Sequence, residues 1–384
     1  MLKQDRFPQE LLGQPPRARW LYFKNKIVAH PRLSEVHQSL RQAVRYASQG
    51  QLILVFGPTG VGKTTLRHGI ERALIEDLLS ELDADRERIP VASVSAVAPE
   101  RGPFDWVDFY MQALISLNEP LVDDKIAYDG PLDFGVPGVR LDERRQVVIQ
   151  PKAHGRNLRR ALENCLRQRR PTAFIIDDAH HLQSVASGRR LRDQMDAIKC
   201  LAERSDTVHV LIGTYELMNL TNLSDQLSRR SRHIPFGRYR VECEQDVHDF
   251  KAVLKTLQQH LPVPEEPDLV GQWEYFYEHS AGCVGILKIW LRDALAEALE
   301  KEQKTLTRAC LGRNAMAPDR LMTVVREIIE GERKLEEQAG QRSQIRAALG
   351  LDRDPPPTEG GVPAPAPKRG RVGERKPVRD PIGG

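Results

Sequence analysis

Cysteine, aromatic residues, net charge and long apolar runs are all scarce in this sequence, and each shortage closes off a class of function. The five cysteines, Cys165, Cys200, Cys243, Cys283 and Cys310, are scattered, with no CxxC pair and no metal-ligand spacing. That distribution argues against a disulfide framework or a zinc module and for reduced thiols in a cytosolic protein. Aromatics make up 6% of the chain, too few for base stacking on single strands to be the main activity. A net charge of +4 over 384 residues produces no global basic field, so any nucleic-acid surface must be local. No apolar run approaches the roughly 18 residues of a membrane helix. The amino-terminal stretch MLKQDRFPQELLGQPPRARW has no apolar signal core. The expectation is a soluble, cytoplasmic chain without a membrane partner, long enough for about two or three domains.

What is present is organised around LILVFGPTGVGKTT, Leu52 to Thr65. Leu52 to Phe56 reads as a buried strand, Gly57-Pro58-Thr59-Gly60-Val61-Gly62-Lys63-Thr64 matches the phosphate-binding loop, and Thr65 onward reads as helix. The glycines let successive backbone N–H groups turn inward, while the helix presents its positive end to the anion. Lys63 then reaches the β- and γ-phosphates, and the Thr64 hydroxyl coordinates Mg²⁺. ATP and Mg²⁺ are the cofactors this motif implies.

Residues 1–20 are polar and proline-bearing and read as an extended arm. A helix is expected over 31–49, with Leu33, Val36, Leu40 and Val44 on one face. Just before it, Ile27, Val28 and His30 can form either an adenine pocket or ordinary core. A second strand is expected over 90–97 and a helix over 103–117. Residues 118–152 break the rhythm and read as an insertion, with VRL and QVVIQ flanking a turn at 142–145. A basic helix follows over 153–170. The next buried strand, 172–176, ends in Asp177-Asp178-Ala179-His180-His181. Acidic residues at the carboxyl end of such a strand sit where open α/β sheets bind ligands. This is a Walker B pattern, in which Asp177 holds Mg²⁺ and Asp178 orients or deprotonates the attacking water. His180 and His181 have no third ligand at useful spacing and read as polar residues of a helix start.

Another buried strand, 207–212, ends in Gly213-Thr214, where Thr214 can sense the γ-phosphate. A helix over 222–231 carries Arg229 and Arg230, either a trans-acting pair for a neighbouring subunit or a solvated basic end. The pattern from 239 to 311 is helical, and Lys288 near the start of its last long helix is a candidate second sensor or a surface lysine. One or two amphipathic helices are expected over 318–349. From 352 the composition turns to Pro, Gly, Arg and Lys, which predicts disorder.

This order of parts resembles the AAA+ ATPases over roughly residues 20–310. Within them, YFKNKIVAHPRLSEV, GPTGVGKTTL, IIDDAHHL and QLSRRSRHIPFGRY are similar to the transposition regulators TniB, TnsC and MuB. The resemblance implies an α/β fold, a P-loop NTPase core of parallel sheet flanked by helices with a small C-terminal helical lid. The domains would be an arm at 1–20, a core at 21–240 with the insertion at about 118–152, a lid at 241–311, C-terminal helices at 312–351 and a tail at 352–384. It places the sensor strand between the P-loop and Walker B strands. It also implies ATP sites shared between subunits of a ring or filament, with Arg229 or Arg230 as the finger, and assembly on duplex DNA that marks a target and recruits or activates a transposase. A target-selection protein would be a further partner. Relatives commonly carry Glu where this chain has Asp178, so hydrolysis is expected to be slow. Backbone contacts to DNA are expected from Arg101, Lys125, Lys152, Arg156, Arg189 and Arg190. Two other readings stay open: a DNA-independent nucleotide switch in secretion or signalling, and a replication initiator or loader. For the last, 312–350 looks too short and too charged to supply a winged helix.

Overall fold

The computed structural model describes residues 6–99, 102–120, 139–141, 147–149, 151–183, 188–221 and 231–351. Five parallel strands form one sheet: β1 (Leu52–Phe56), β2 (Val91–Ser95), β5 (Ala173–Asp177), β6 (His209–Gly213) and β7 (Ser231–Pro235), in the order β2-β5-β6-β1-β7. A separate antiparallel pair joins β3 (Val139–Leu141) to β4 (Val147–Ile149), on either side of the expected turn. β1, β5 and β6 are buried along their whole length. Strands covered on both faces have no polar side to present, so they read as continuous apolar runs. β6, the strand expected to carry a sensor residue, lies between β1 and β5, with Leu52 opposite His209 and Phe174 opposite the same residue.

The helices flanking the sheet are α1 (Pro16–Asn25), α2 (Pro31–Arg45), α3 (Lys63–Leu82), α4 (Trp106–Ser116), α5 (Pro151–Arg169), α6 (Gly188–Ser205) and the short α7 (Leu217–Thr221). Caps explain several starts. The His30 ring accepts from the Leu33 N–H at 3.3 Å and Pro31 occupies the first turn of α2, where its missing N–H costs nothing. Asp105 accepts from the Val107 and Asp108 N–H groups at the head of α4. Val36, Leu40 and Val44 of α2 join Ile53 and Val55 of β1, Leu66 and Ile70 of α3, and Val210 and Ile212 of β6 in one buried cluster.

The remaining helices are α8 (Glu244–His260), α9 (Trp273–Ser280), α10 (Val284–Glu300), α11 (Arg308–Asn314) and α12 (Pro318–Ala348). Phe250, Leu254, Phe276, Trp290 and Leu291 build a second core among them. This core corrects the expectation of an extended amino-terminal arm. Gln9–Gly13 is a 3-10 turn, and Pro16 opens α1 rather than breaking a helix. Phe23 of α1 is fully buried in the helical core, with Trp20 and Tyr22 packed against it. The chain divides into two compact units, Met1–Arg333 and Lys334–Gly384. In the second, residues 346–351 are exposed; the tail expected from 352 lies outside the described residues. No helix among the described residues is long and apolar enough to cross a membrane.

Candidate functional site

The loop between β1 and α3 takes a shape that only glycine permits at its last turn. Gly62 has φ 115°, a left-handed conformation that side-chain-bearing residues rarely adopt. The Gly57 N–H donates to the Gly213 carbonyl, tying the loop to the end of β6. Lys63 Nζ donates to the carbonyls of Gly57 (2.9 Å) and Pro58 (2.8 Å), and burial pulls its ammonium below the ordinary lysine range. A cavity of about 380 Å³ opens over this loop, lined by Thr59, Lys63, Thr64, Asp178, His180 and Thr214 among others. The structure therefore brings together the P-loop, the end of β5 and the end of β6.

Asp177 and Asp178 share a peptide bond but not an environment. Asp177 is buried, and Asp178 is exposed at φ 51°. Burial and the adjacent Asp178 charge push the Asp177 carboxyl above the usual range. Sequence reasoning missed its cation: Arg67 Nε stands 2.9 Å from Asp177 Oδ2. Its N–H is not aligned on that oxygen, so the contact is a charge contact rather than a hydrogen bond. Arg67 also pairs with Glu71. The available signal was spacing, since Arg67 falls three residues after Thr64 on one helix face.

Two carboxylates at one strand end, one of them pushed towards its neutral form by burial and by its neighbour, suit a divalent cation. Thr64 and Asp177 are the residues that would hold Mg²⁺, which would supply charge neutralisation at phosphoryl oxygens; Thr64 lines the cavity, whereas Asp177 is buried beside Arg67 and is not part of its lining. Thr214 contributes a buried hydroxyl that has no hydrogen-bond partner among the described residues. His180 and His181 lie in a 3-10 turn, with ring centroids 4.1 Å apart. Burial, then His181, brings His180 down to about 4. Among the described residues no group of three or more His, Cys, Asp or Glu side chains is placed to hold a metal ion.

A second cavity, about 150 Å³, adjoins the loop and is lined by Ile27, Val28, His30, Val61, Gly62 and Lys288 among others. The segment before α2 thus meets the P-loop, and His30 Nδ1 is fixed 2.9 Å from the Tyr239 hydroxyl. Lys288 lines this cavity and not the larger one. Its amine donates to the Phe23 carbonyl and stands 3.7 Å from the Phe23 ring centroid; burial, with Lys26 and Arg292 nearby, brings it down to about 7. The helical part also touches the loop through backbone. The Gly285 N–H donates to the Gly60 carbonyl at 2.7 Å, followed by Ile286 at 3.2 Å.

Of the other candidates, Arg156 is exposed on α5, as is Arg160 one turn on. Arg101, Lys125, Arg229 and Arg230 lie outside the described residues. Lys152, Arg189 and Arg190 fall within α5 and α6, but their side chains lie outside what is described.

A family profile for the AAA domain matches residues 44–221. No curated protein gives a significant match. Among solved structures, the chain is similar to the Aeropyrum pernix ORC1 protein in complex with DNA, at 16% identity and TM-score 0.51, over 77% of this chain and 68% of that one. It is similar to the ADP form of the Aeropyrum pernix ORC2 protein at 14% identity and TM-score 0.49, over 78% and 72%. A Walker-type ATPase of Pyrococcus abyssi matches at 16% identity and TM-score 0.44, over 88% and 89%. At 16% identity the likeness to the ORC1 protein is one of fold. The chain carries an AAA domain at residues 44–221, within an α/β architecture that is the AAA+ P-loop NTPase fold.

Proposed function

We propose that this protein is an ATP-dependent switch: it binds and slowly hydrolyses ATP with Mg²⁺, self-assembles on duplex DNA in the triphosphate state, and regulates transposition by marking a target for a transposase. The observation that carries the nucleotide part is the convergence of Lys63, Thr64, Asp178 and Thr214 on one cavity. In that role the loop amides and Lys63 bind the phosphates, and Thr214 senses the terminal one. Asp178 is the exposed carboxylate of the acidic pair and orients or accepts a proton from the attacking water. Ile27, Val28 and Lys288 line the base side. The motif likeness quoted above supports the transposition role, and Arg229 or Arg230 would reach a neighbour's site. DNA contact through the phosphate backbone is supported by the exposed Arg156. The similarity to the ORC1 protein, solved in complex with DNA, supports a second reading as a replication initiator.

The nucleotide part is tested by titrating a fluorescent ATP analogue into wild type, Lys63→Ala and Asp178→Asn, with phosphate release followed in parallel. Lys63→Ala should weaken binding at least about a hundredfold, roughly 2.7 kcal/mol. Asp178→Asn should keep binding and lose about 10²-fold or more in turnover, the scale of a lost general base. Unchanged turnover in Asp178→Asn would remove that residue from the chemistry. Initiator and transposition roles are separated by adding a transposase: stimulation of strand transfer by the ATP-bound protein supports the latter.

A further inference from the structure

Helix α12 is not absorbed by the nucleotide reading, yet its first half is fastened across the phosphate loop. Ile328 is buried against Ala281, Cys283 and Ile286, with Leu321, Val324 and Val325 packed beside it. Glu332 receives two hydrogen bonds from the Arg238 guanidinium, at 3.0 and 3.1 Å, in a partly buried fork. Gly331 lies so close to the Tyr215 ring that a Cβ there would stand 2.1 Å from it. Tyr215 directly follows the sensor Thr214. Positions 327, 328, 331 and 332 share one helical face. On that face, Glu327 holds both carboxylate oxygens 3.5 Å from the Thr59 hydroxyl of the P-loop.

Glu327, like Asp178 and Asp177, is a carboxylate whose negative charge favours the charged form of the Lys63 ammonium against burial. Lys63 is the cation that reaches the β- and γ-phosphates when a nucleotide is bound. A third carboxylate in that field serves no evident packing purpose, since the apolar contacts are made by Ile328 and its neighbours.

We propose that the first half of α12 is an acidic strap that discriminates against the terminal phosphate: Glu327 at Thr59 opposes entry of a triphosphate, tolerates a diphosphate, and makes triphosphate binding release the strap. This rests on the reading of the larger cavity as a nucleotide site. The opposition is between like charges, Glu327 and the γ-phosphate, in a half-buried setting where screening is weak. Coupling is reciprocal, so whatever factor docking of the strap costs in ATP affinity, ATP exacts from docking. The strap is thereby a readout of nucleotide state, carried by the helix itself.

The test compares the affinities of the full-length protein for an ATP analogue and for ADP in wild type, Glu327→Gln and Glu332→Gln, with amide hydrogen exchange followed over 318–333. Glu327→Gln keeps shape and removes charge. It should tighten analogue binding about tenfold and ADP binding less than about twofold. Analogue should raise exchange over 318–333 in wild type and leave it unmoved in Glu327→Gln. Glu332→Gln, which cuts the Arg238 anchor, should raise exchange before any nucleotide is added and also favour the analogue. An analogue-to-ADP ratio unchanged in Glu327→Gln would overturn the strap, as would lost turnover at unchanged affinity, which would instead make Glu327 part of hydrolysis. A wild-type protein that binds neither nucleotide would overturn the site reading and the strap together, whereas normal binding with an unmoved ratio overturns the strap alone.

Discussion

Within β6 an imidazole sits where water cannot reach. His209 is fully buried, its Nδ1 2.9 Å from the Thr207 carbonyl and its Nε2 without a hydrogen-bond partner among the described residues. Its neutral form therefore donates from Nδ1, and burial brings it down to about 4 from 6.5. Between these values the unfolded chain binds a proton that the folded chain refuses. Stability from this residue is present above about 6.5 and is lost as pH falls towards 4, at up to about 1.4 kcal/mol per pH unit. Urea midpoints for wild type should drop more steeply between pH 6.5 and 4.5 than those for His209→Gln; parallel profiles would show that His209 titrates alike in both states. Asp178 shows how much of a site a sequence conveys. Its position after Asp177 was legible, because an apolar run ending in carboxylates has few other readings. Its φ of 51° was not. Asp tolerates the left-handed region better than longer side chains do, so the backbone suits Asp at this position. Arg67 beside Asp177 was hidden for another reason, since only the packing of α3 against β5 brings them together.

At the scale of elements, the head of α10 is where the helical region meets the P-loop. A Cβ on Gly285 would lie 2.4 Å from the Gly60 carbonyl oxygen. Neither backbone can yield without moving the loop or the helix, so Gly285→Ala should cost about 1–3 kcal/mol, the range for overpacking. It should also weaken nucleotide binding, because Gly60 belongs to the phosphate loop. Chemical denaturation and nucleotide titration of the variant check this, and wild-type values in both would show that the contact yields freely. The strands were legible as short apolar runs, and the long helices from their spacing. The pairing of β3 with β4 was legible from the turn residues expected between them, which lie outside the described residues. Helix α1 was not, because Pro15 and Pro16 resemble a break. Proline is well placed at a helix start, and what holds α1 is the burial of Phe23 in a core formed by residues more than two hundred positions later. That α12 bends back to Thr59 and Arg238 was likewise a matter of tertiary packing and not of local pattern.

For the whole molecule, the proposed switch depends on how the elements meet at the P-loop. The cavity over the P-loop is lined by Asp178 and Thr214 at the ends of β5 and β6 and by Gly285 and Ile289 of α10, and Thr59 on its wall also meets Glu327 of α12. Ligand binding can shift such an assembly only by the difference in its affinity for the two states. The decisive measurement is fluorescence anisotropy of a long labelled duplex DNA at moderate salt, with ATP, a non-hydrolysable analogue and ADP in parallel and Lys63→Ala as control. The account predicts cooperative binding with ATP or the analogue, little with ADP, and none gained from nucleotide by Lys63→Ala. Binding of equal strength in every nucleotide state, or no binding in any, would contradict it.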